Sequence, residues 1–438
     1  MKLQKSWTSV NITNIPQRLQ KERPNLVRVF RRFWETPLEE YAARLYNKPA
    51  SPIEPELVSA FEEEWREAGL TESQTEGASR LLRTNPVIQT SHHITPTNGP
   101  RFSTIDLICL SGLSPSDCYL VGAYSGVAFS NPAWSGALSY GGLLISDILE
   151  KPSPAYSQTL RAAKERREHG KNEHRISLIP SRQRDQLLYG TKITSYQTSL
   201  YPSFTPQLQT ILPRFRENTL YSHWAAKVCG TLQNHTFARN NIAVFDMNQA
   251  IKRYLLKILE SDGDHFIKRL FFDKNASERI WRAFGFPAPF LGCYRGKKSN
   301  KIERLFWQDN RLVGHRSHYR VDTTDDLCRL IREEPVCPGL FVVFLVLKFL
   351  NGIRCLGSFN QIEYLEKYRR IWQSLDIAEE MDLKADTIHA LTTGQIMVGG
   401  EPIWPLDYFV KEKRLSVSDF GSWPMKRFWE PIVNLLCQ

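Results

Sequence analysis

The chain lacks any Cys-x-x-Cys pair, and none of its cysteines stands beside histidines at metal-ligand spacing, so a structural zinc site has no ligand framework and no metal is expected. The eight cysteines (Cys109, Cys118, Cys229, Cys293, Cys328, Cys337, Cys355 and Cys437) are scattered. No apolar run reaches membrane-spanning length. The longest, Leu340 to Leu350, is interrupted by Lys348 and is about half the roughly 20 residues a bilayer needs. It reads as a buried strand or helix, and no membrane partner is expected. The opening MKLQKSWTSVNITNIPQRLQKERP has no signal-peptide apolar core, so a cytoplasmic chain with reduced thiols is expected. A Gly-x-x-x-x-Gly-Lys-Ser/Thr loop, a Gly-x-Ser-x-Gly elbow and a His-Glu-x-x-His helix are all missing. The common ATPase, hydrolase and zinc-protease classes lose support accordingly. There is no internal repeat and no low-complexity tract.

What remains is an ordinary globular composition, with 42% hydrophobic and 24% charged residues over 438 positions. That length suits two or three domains, or one large core with an appended region. Lysine and arginine number 57 against 46 acids, a formal charge of +11. Such a chain attracts nucleotides, phosphorylated metabolites or RNA without choosing among them. The cations are spread, apart from Arg161 to Arg167 and Arg295 to Lys301. The first cluster reads as a solvated helix face. In the second, Lys297, Lys298 and Lys301 are weak candidates for anion or nucleotide contact, in a stretch that reads equally as a solvated turn.

Residues 1–83 read as a helical region, broken by Pro52 and Pro55, with apolar positions three or four apart. Residues 84–375 carry strand–loop–helix units, in one or two lobes, and 376–438 form a C-terminal extension. Strands are expected at Pro86 to Thr90, Cys118 to Tyr124, Arg175 to Ile179, Asn241 to Asp246 and Ile302 to Trp307, with helices from near Phe102, over Lys151 to Lys171, Leu220 to Thr231, Ala250 to Leu259, Phe266 to Phe284 and Gln361 to Trp372. Asp309-Asn310 suits a hairpin turn, and Thr323 suits an N-cap. The alternation predicts an α/β fold with a parallel sheet, whose ligands collect at the carboxyl ends of the strands.

Three segments at such ends could carry chemistry. Ser91 to Thr104 (SHHITPTNGPRFST) places two imidazoles and several hydroxyl and amide groups between a strand and a helix. Gly99 permits close backbone approach, and the following helix start favours a phosphate or carboxylate. His92 or His93 can transfer protons near neutral pH. A capped helix whose turn happens to contain histidines accounts for the same residues. Ser125 to Gly136 repeats the pattern at the next strand end, with Ser125, Ser130 and Asn131 as candidate substrate contacts or as parts of an ordinary loop. Gly357 to Tyr364 opens a helix just after a buried strand, and Ser358 or Asn360 can cap it.

Taken in order, VIQTSHHITPTNGPRFSTIDLI, TLYSHWAAKVCGTL with NNIAVFDMNQAIKRYL, ERLFWQDNRLVG with TTDDLCRLIREEP, and the final LFVVFLVLKFLNGIRCLGSFNQIEYLEKYRRIW resemble bacillithiol synthase, the cysteine ligase family that joins cysteine to glucosaminyl-malate. The resemblance covers roughly Glu76 to Leu375. His92, His93, Gly99, Pro100 and Thr104 fall on the family's Thr-Gly-Gln/His-Gln, Gly-Pro and Tyr-Thr pattern. Gly357, Glu363 and Tyr364 fall on its Gly-Pro-x-Glu-Ile-x-Tyr element. The chain departs where the family's acidic Glu-Asp-His-Asp run is replaced by Ser125 to Asn131 and its Arg-Pro-x-x-Gln stretch by Phe344 to Phe349. It is also too short for the family's coiled coil.

The resemblance implies a Rossmann-like parallel-sheet core of nucleotidyltransferase-like architecture with added helical segments. It further implies an amide-forming or aminoacyl-transferring ligase-like enzyme, joining an amino acid such as cysteine to an amine-bearing small molecule. His92 and His93 would be catalytic. Asn98, Gly99, Pro100, Thr104, Ser125, Ser130, Asn131, Gly357, Glu363 and Tyr364 would bind substrate. No cofactor is fixed, and ATP is compatible. Two alternatives stand beside this: a non-catalytic or RNA-binding member of the fold, and a nucleotidyltransferase or tRNA-dependent aminoacyl transferase, with tRNA or another anion as partner.

Overall fold

The computed structural model describes residues 15–48, 51–127, 137–151, 174–178, 203–212, 219–296, 300–375, 381–384 and 389–437. Five helices open it: Gln17–Glu22, Pro24–Phe33, Leu38–Tyr46, Pro55–Glu67 and Glu72–Thr84. Proline stands at the first turn of two of them, at Pro24 and Pro55, where its missing N–H costs no intrahelical bond. The Glu72–Thr84 helix starts on a reciprocal box: Gln74 N donates to Thr71 Oγ1, and Thr71 N donates to Gln74 Oε1.

The central sheet has four strands, β1 (Val87–Gln89), β2 (Tyr119–Ala123), β5 (Ile242–Asp246) and β11 (Arg354–Leu356), in the order β11-β1-β2-β5 with every pair parallel. All four are buried throughout, as expected for a sheet covered on both faces. The chain steps outward from β1 to β2 to β5, then crosses back to set β11 on the other side of β1. The order therefore reverses between β1 and β11. The helix Pro100–Leu110 links β1 to β2, Tyr221–Thr236 leads into β5, and Met247–Glu260 leaves it.

A second, antiparallel sheet runs β10-β6-β7-β8-β9, with β6 Phe290–Arg295, β7 Asn300–Gln308, β8 Arg311–Val313, β9 His318–Arg320 and β10 Cys337–Pro338. Asp309 and Asn310 turn β7 into β8 at φ 46° and 57°, the left-handed pair that a two-residue hairpin needs. Among the described residues two short pairs complete the strands, β3 (Ala137–Tyr140) with β4 (His174–Ser177) and β12 (Met397–Val398) with β13 (Glu401–Pro402). Thr323 caps Thr324–Glu333 through its hydroxyl, which accepts from Asp326 N.

The apolar run is helical, Leu340–Phe344 continuing as a wider π-helical turn over Leu345–Leu350. The stretch expected as one helix from Phe266 to Phe284 is two, Phe266–Phe272 and Lys274–Ala283, because Asp273 accepts from Asn275 N and Ala276 N and restarts the chain. Beyond Lys151, the helix expected to Lys171 lies outside the described residues. Buried side chains from the N-terminal helices, the sheet region and residues after 389 join one hydrophobic cluster. Among the described residues no helix is long and apolar enough to cross a membrane.

Candidate functional site

The segment after β1 does not turn away at once. Tyr124 N donates to His92 O at 2.7 Å and Ile94 N to Tyr124 O at 3.0 Å, so His93 bridges Tyr124 in parallel and prolongs the β1–β2 pairing. His92 is buried, and its Nε2 lies 3.0 Å from Asp106 Oδ1. The two atoms are close but lack the alignment of a hydrogen bond. Asp106 also accepts from Tyr119 OH at 2.8 Å and, on its other oxygen, from Asn98 Nδ2 at 3.4 Å. It sits in the helix Pro100–Leu110, which is buried from Ser103 to Leu110. A carboxylate there has to find its partners inside the protein.

Three further polar atoms of this segment are enclosed and have no hydrogen-bond partner among the described residues: His92 Nδ1, His93 Nδ1 and Asn98 Oδ1. Buried polar groups are ordinarily satisfied, so each such atom needs a reason. Burial, reinforced by the neighbouring His92, lowers the His93 pKa, which keeps its imidazole neutral at neutral pH. Gly99 precedes the helix without a side-chain cap, and a Cβ there would meet nothing within 4 Å. Space is thus open beside the helix start. Pro100 opens the helix. Thr104 Oγ1 donates to Pro100 O and receives Ile396 N, so Thr104 ties the helix to the later chain.

At the ends of β2 and β5, Ser125 Oγ donates to Asp246 Oδ1 at 2.7 Å and Ser125 N to Asn248 Oδ1 at 2.8 Å. Asp246 Oδ1 caps the helix Met247–Glu260 by accepting from Asn248 N and Gln249 N. Burial raises the Asp246 pKa against the opposing pull of Ser125, Ser222 and His223. Beside it, His223 Nε2 lies 3.0 Å from Glu64 Oε1, and Arg253 donates to Glu64 Oε2. Burial works against a charge on His223, but the Glu64 carboxylate and then Asp246 outweigh it and raise the His223 pKa.

Across the reversal point, Gln361 Nε2 donates to Thr90 Oγ1 at 2.8 Å and to Cys355 O. Gly357 makes room for this, since a Cβ there would lie 2.1 Å from Gln361 Cδ. Thr392 Oγ1 accepts from Gln89 Nε2 at 2.8 Å and donates to Gly357 O. The crevice between β1 and β11 is therefore filled by the protein's own Gln361 and Thr392. Further along the rim, the described residues leave open space beside Gly99.

The structure thus brings His92, His93, Asn98, Gly99, Pro100 and Thr104 together, with Ser125 on the same carboxyl rim and Gly357 joined to it through Gln361. Glu363 faces elsewhere. Its carboxylate accepts from Asn25 Nδ2 and Leu26 N and holds the start of the helix Pro24–Phe33. Tyr364 packs among Phe344 and Tyr368. Lys301 is exposed on β7, in the antiparallel sheet. Ser130, Asn131, Lys297 and Lys298 lie outside the described residues. Sequence reasoning passed over Asp106, Tyr119, Gln361, Thr392 and the Glu64–His223 pair. Only Glu64 left a signal: it continues the Leu57–Phe61 stripe at helical spacing, on a face that has to be buried. A cleft of about 580 Å³ opens at the opposite, amino edge of the sheet, against Cys118 and Asn241. Among the described residues no three histidine, cysteine or carboxylate groups gather as metal ligands. No protein-family model, curated protein or solved structure matches the chain.

Proposed function

We propose that the chain is an amide-forming or aminoacyl-transferring enzyme whose substrates meet at the carboxyl rim of the parallel sheet, against the Ser91–Thr104 turn. The observation that carries the proposal is the set of enclosed, unpartnered atoms His92 Nδ1, His93 Nδ1 and Asn98 Oδ1 beside a helix start with open space at Gly99. The strand order β11-β1-β2-β5, with its reversal at β1, supports a Rossmann-like, nucleotidyltransferase-like core, in which ligands bind outside the carboxyl ends near that reversal. The ordered motifs resembling bacillithiol synthase support the same chemistry, with an amino acid such as cysteine as one substrate.

In this scheme an amine nitrogen attacks the carbon of an activated carboxyl group. The C–N bond forms, the C–O bond to the leaving group breaks, and the amine's surplus proton passes to neutral His93. Asp106 orients His92 beside it, and the N–H groups at the start of the helix Pro100–Leu110 receive the negative charge of a carboxylate or phosphate. The acyl group arrives as an ATP-derived adenylate or as an ester on a carrier.

The test is amide formation followed by mass spectrometry, with amino acids, ATP or aminoacyl-tRNA, and amine-bearing acceptors. Replacing His93 with alanine should lower turnover about 10²–10⁴-fold, the usual contribution of a positioned acid–base group. Unchanged turnover in folded His92→Ala, His93→Ala and double variants would overturn the proposal. Pyrophosphate exchange dependent on one amino acid marks the adenylate route, and transfer without ATP marks the carried ester.

A further inference from the structure

The cleft of about 580 Å³ at the amino edge of the central sheet lies between the helix Glu72–Thr84 and the starts of β2 and β5. Sheets of this kind ordinarily bind ligands at their carboxyl edge, so the fold alone does not account for an opening here. Its size falls among small-molecule sites, roughly 300–1,000 Å³. Both walls are tied down. Gln74 Nε2 donates to Asn240 O at 2.9 Å, which holds the helix to the chain entering β5. Asn241 Nδ2 donates to Pro115 O and Asp117 O, which holds that chain to the loop entering β2. Cys118 also lines the cleft, but burial pushes its thiol up to about 12, so it stays protonated and supplies no nucleophile at neutral pH.

Gly77 stands inside the helix and lines the cleft. A glycine within a helix is less favourable than an alanine, and no close packing demands it here. Apart from the helix's own backbone, an added Cβ would meet only Arg80 Nη2 within 4 Å, at 4.0 Å. What the missing side chain provides is space, with the Arg80 guanidinium at its edge. Arg80 is exposed, is the one cation of the lining, and has no side-chain hydrogen bond or ion pair among the described residues. The one acid of the lining, Asp117, accepts from Ser114 N at 3.1 Å. Its charge acts on Arg239, which Leu113 O and Ser114 O hold in place. Hydroxyl groups stand in the lining at Ser73 and Ser116, the latter also meeting Ser114 Oγ. Among the described residues no aromatic ring lines the cleft, so a nucleobase has no ring on which to stack.

We infer that this cleft binds a hydroxyl-rich anion of sugar-phosphate size, with its phosphate or carboxylate on Arg80 and its hydroxyl groups against Ser73, Ser116 and Asp117. One guanidinium suits one terminal anionic group, which it can grip through two parallel hydrogen bonds. A polyphosphate would need more cations than the lining holds, and Asp117 favours a ligand that donates hydroxyl protons. The site lies at the opposite edge of the sheet from the carboxyl rim, and the inference does not rest on the reaction proposed there.

The test is calorimetric titration of the full chain with glucose 6-phosphate, ribose 5-phosphate, glucuronate, inorganic phosphate and AMP. At least one of the three sugar anions should bind, and more tightly than inorganic phosphate or AMP. A preference for glucuronate marks a carboxylate as the anion, and a preference for a sugar phosphate marks a phosphate. Arg80→Gln should weaken that binding at least tenfold, whereas Arg83→Gln, on the same helix but outside the lining, should not. Gly77→Leu, which places a side chain in the cleft, should also lose tenfold or more. Gly77→Ala should raise the urea unfolding midpoint, as where a helix glycine has no packing role. The exposed Arg80→Gln change keeps the test valid if Gly77→Leu does not fold. Binding of no sugar anion, tighter binding of AMP or inorganic phosphate, equal binding by Arg80→Gln or by folded Gly77→Leu, or a lowered midpoint in Gly77→Ala would each overturn the inference. His93→Ala should bind the sugar anion as the wild type does, and a loss there would overturn the inference by placing the ligand at the rim.

Discussion

Two buried histidine regions lie along the same sheet and treat their imidazoles in opposite ways. After β1, burial and a second histidine hold His93 neutral, with Nδ1 unpartnered. At the end of β5, Glu64 and Asp246 outweigh burial and raise the His223 pKa. A neutral, enclosed imidazole is equipped to take a proton. An imidazole whose proton is favoured by an adjacent carboxylate is occupied by that contact, which ties the helix Pro55–Glu67 to Tyr221–Thr236. Under the proposed function, the first region would carry chemistry and the second cohesion.

The strongest break in this comparison is Asp106→Ala. It strips the carboxylate that receives Tyr119 and Asn98 and lies against His92. Stability should fall by about 3–5 kcal/mol, the usual cost of removing one member of a buried charged cluster, measured by urea unfolding.

Glu64→Gln should cost less, about 1–3 kcal/mol, because the amide oxygen can still receive one of Arg253 and His223. It should also change the pH profile. Native His223 binds its proton more tightly than the unfolded chain does, so its stabilisation is complete below about pH 6.5 and is lost as pH rises through the raised native value. Native His93 binds its proton less tightly, so stability falls as pH drops below about 6.5. Unfolding followed from pH 5 to 8 should show Glu64→Gln flattening the decline on the alkaline side and His93→Gln leaving it in place while flattening the decline on the acid side. Identical profiles for the two variants would erase the distinction drawn here.

The smallest effect is expected at Glu363→Ala. Losing the groups that hold Leu26 N and Asn25 should cost about 1 kcal/mol, as for a lost helix cap, with no change in ligand binding at the rim. A loss of binding larger than the loss of stability would return Glu363 to the site.

Three of the four central strands, β7, most helices, the Asp309-Asn310 turn and the Thr323 cap were legible in the sequence because each depends on neighbours within a few residues, whereas β11 and β6 were not. The rim segments were legible for the same reason, since a strand followed by small polar residues and a helix is a local pattern. Partnerships were not. Glu363 serves a helix that begins at Pro24, Thr392 reaches back to Gln89, and His92 meets a carboxylate buried within the next helix. Only folding decides which distant side chains meet, so no spacing rule distinguishes Glu363 as a cap from Glu363 as a ligand contact. The extension of β1 through His93 was likewise hidden, because Tyr124, which holds it, lies in the next unit.

Calorimetric titration of a non-hydrolysable cysteinyl-adenylate analogue, with other aminoacyl-adenylate analogues alongside, tests the central assignment most directly. The wild type and His223→Gln should bind at least one analogue alike, while His93→Ala and Asn98→Ala should each lose tenfold or more with unfolding still cooperative. Equal binding by all four proteins, or a loss confined to His223→Gln, would contradict the assignment of ligand chemistry to the turn after β1.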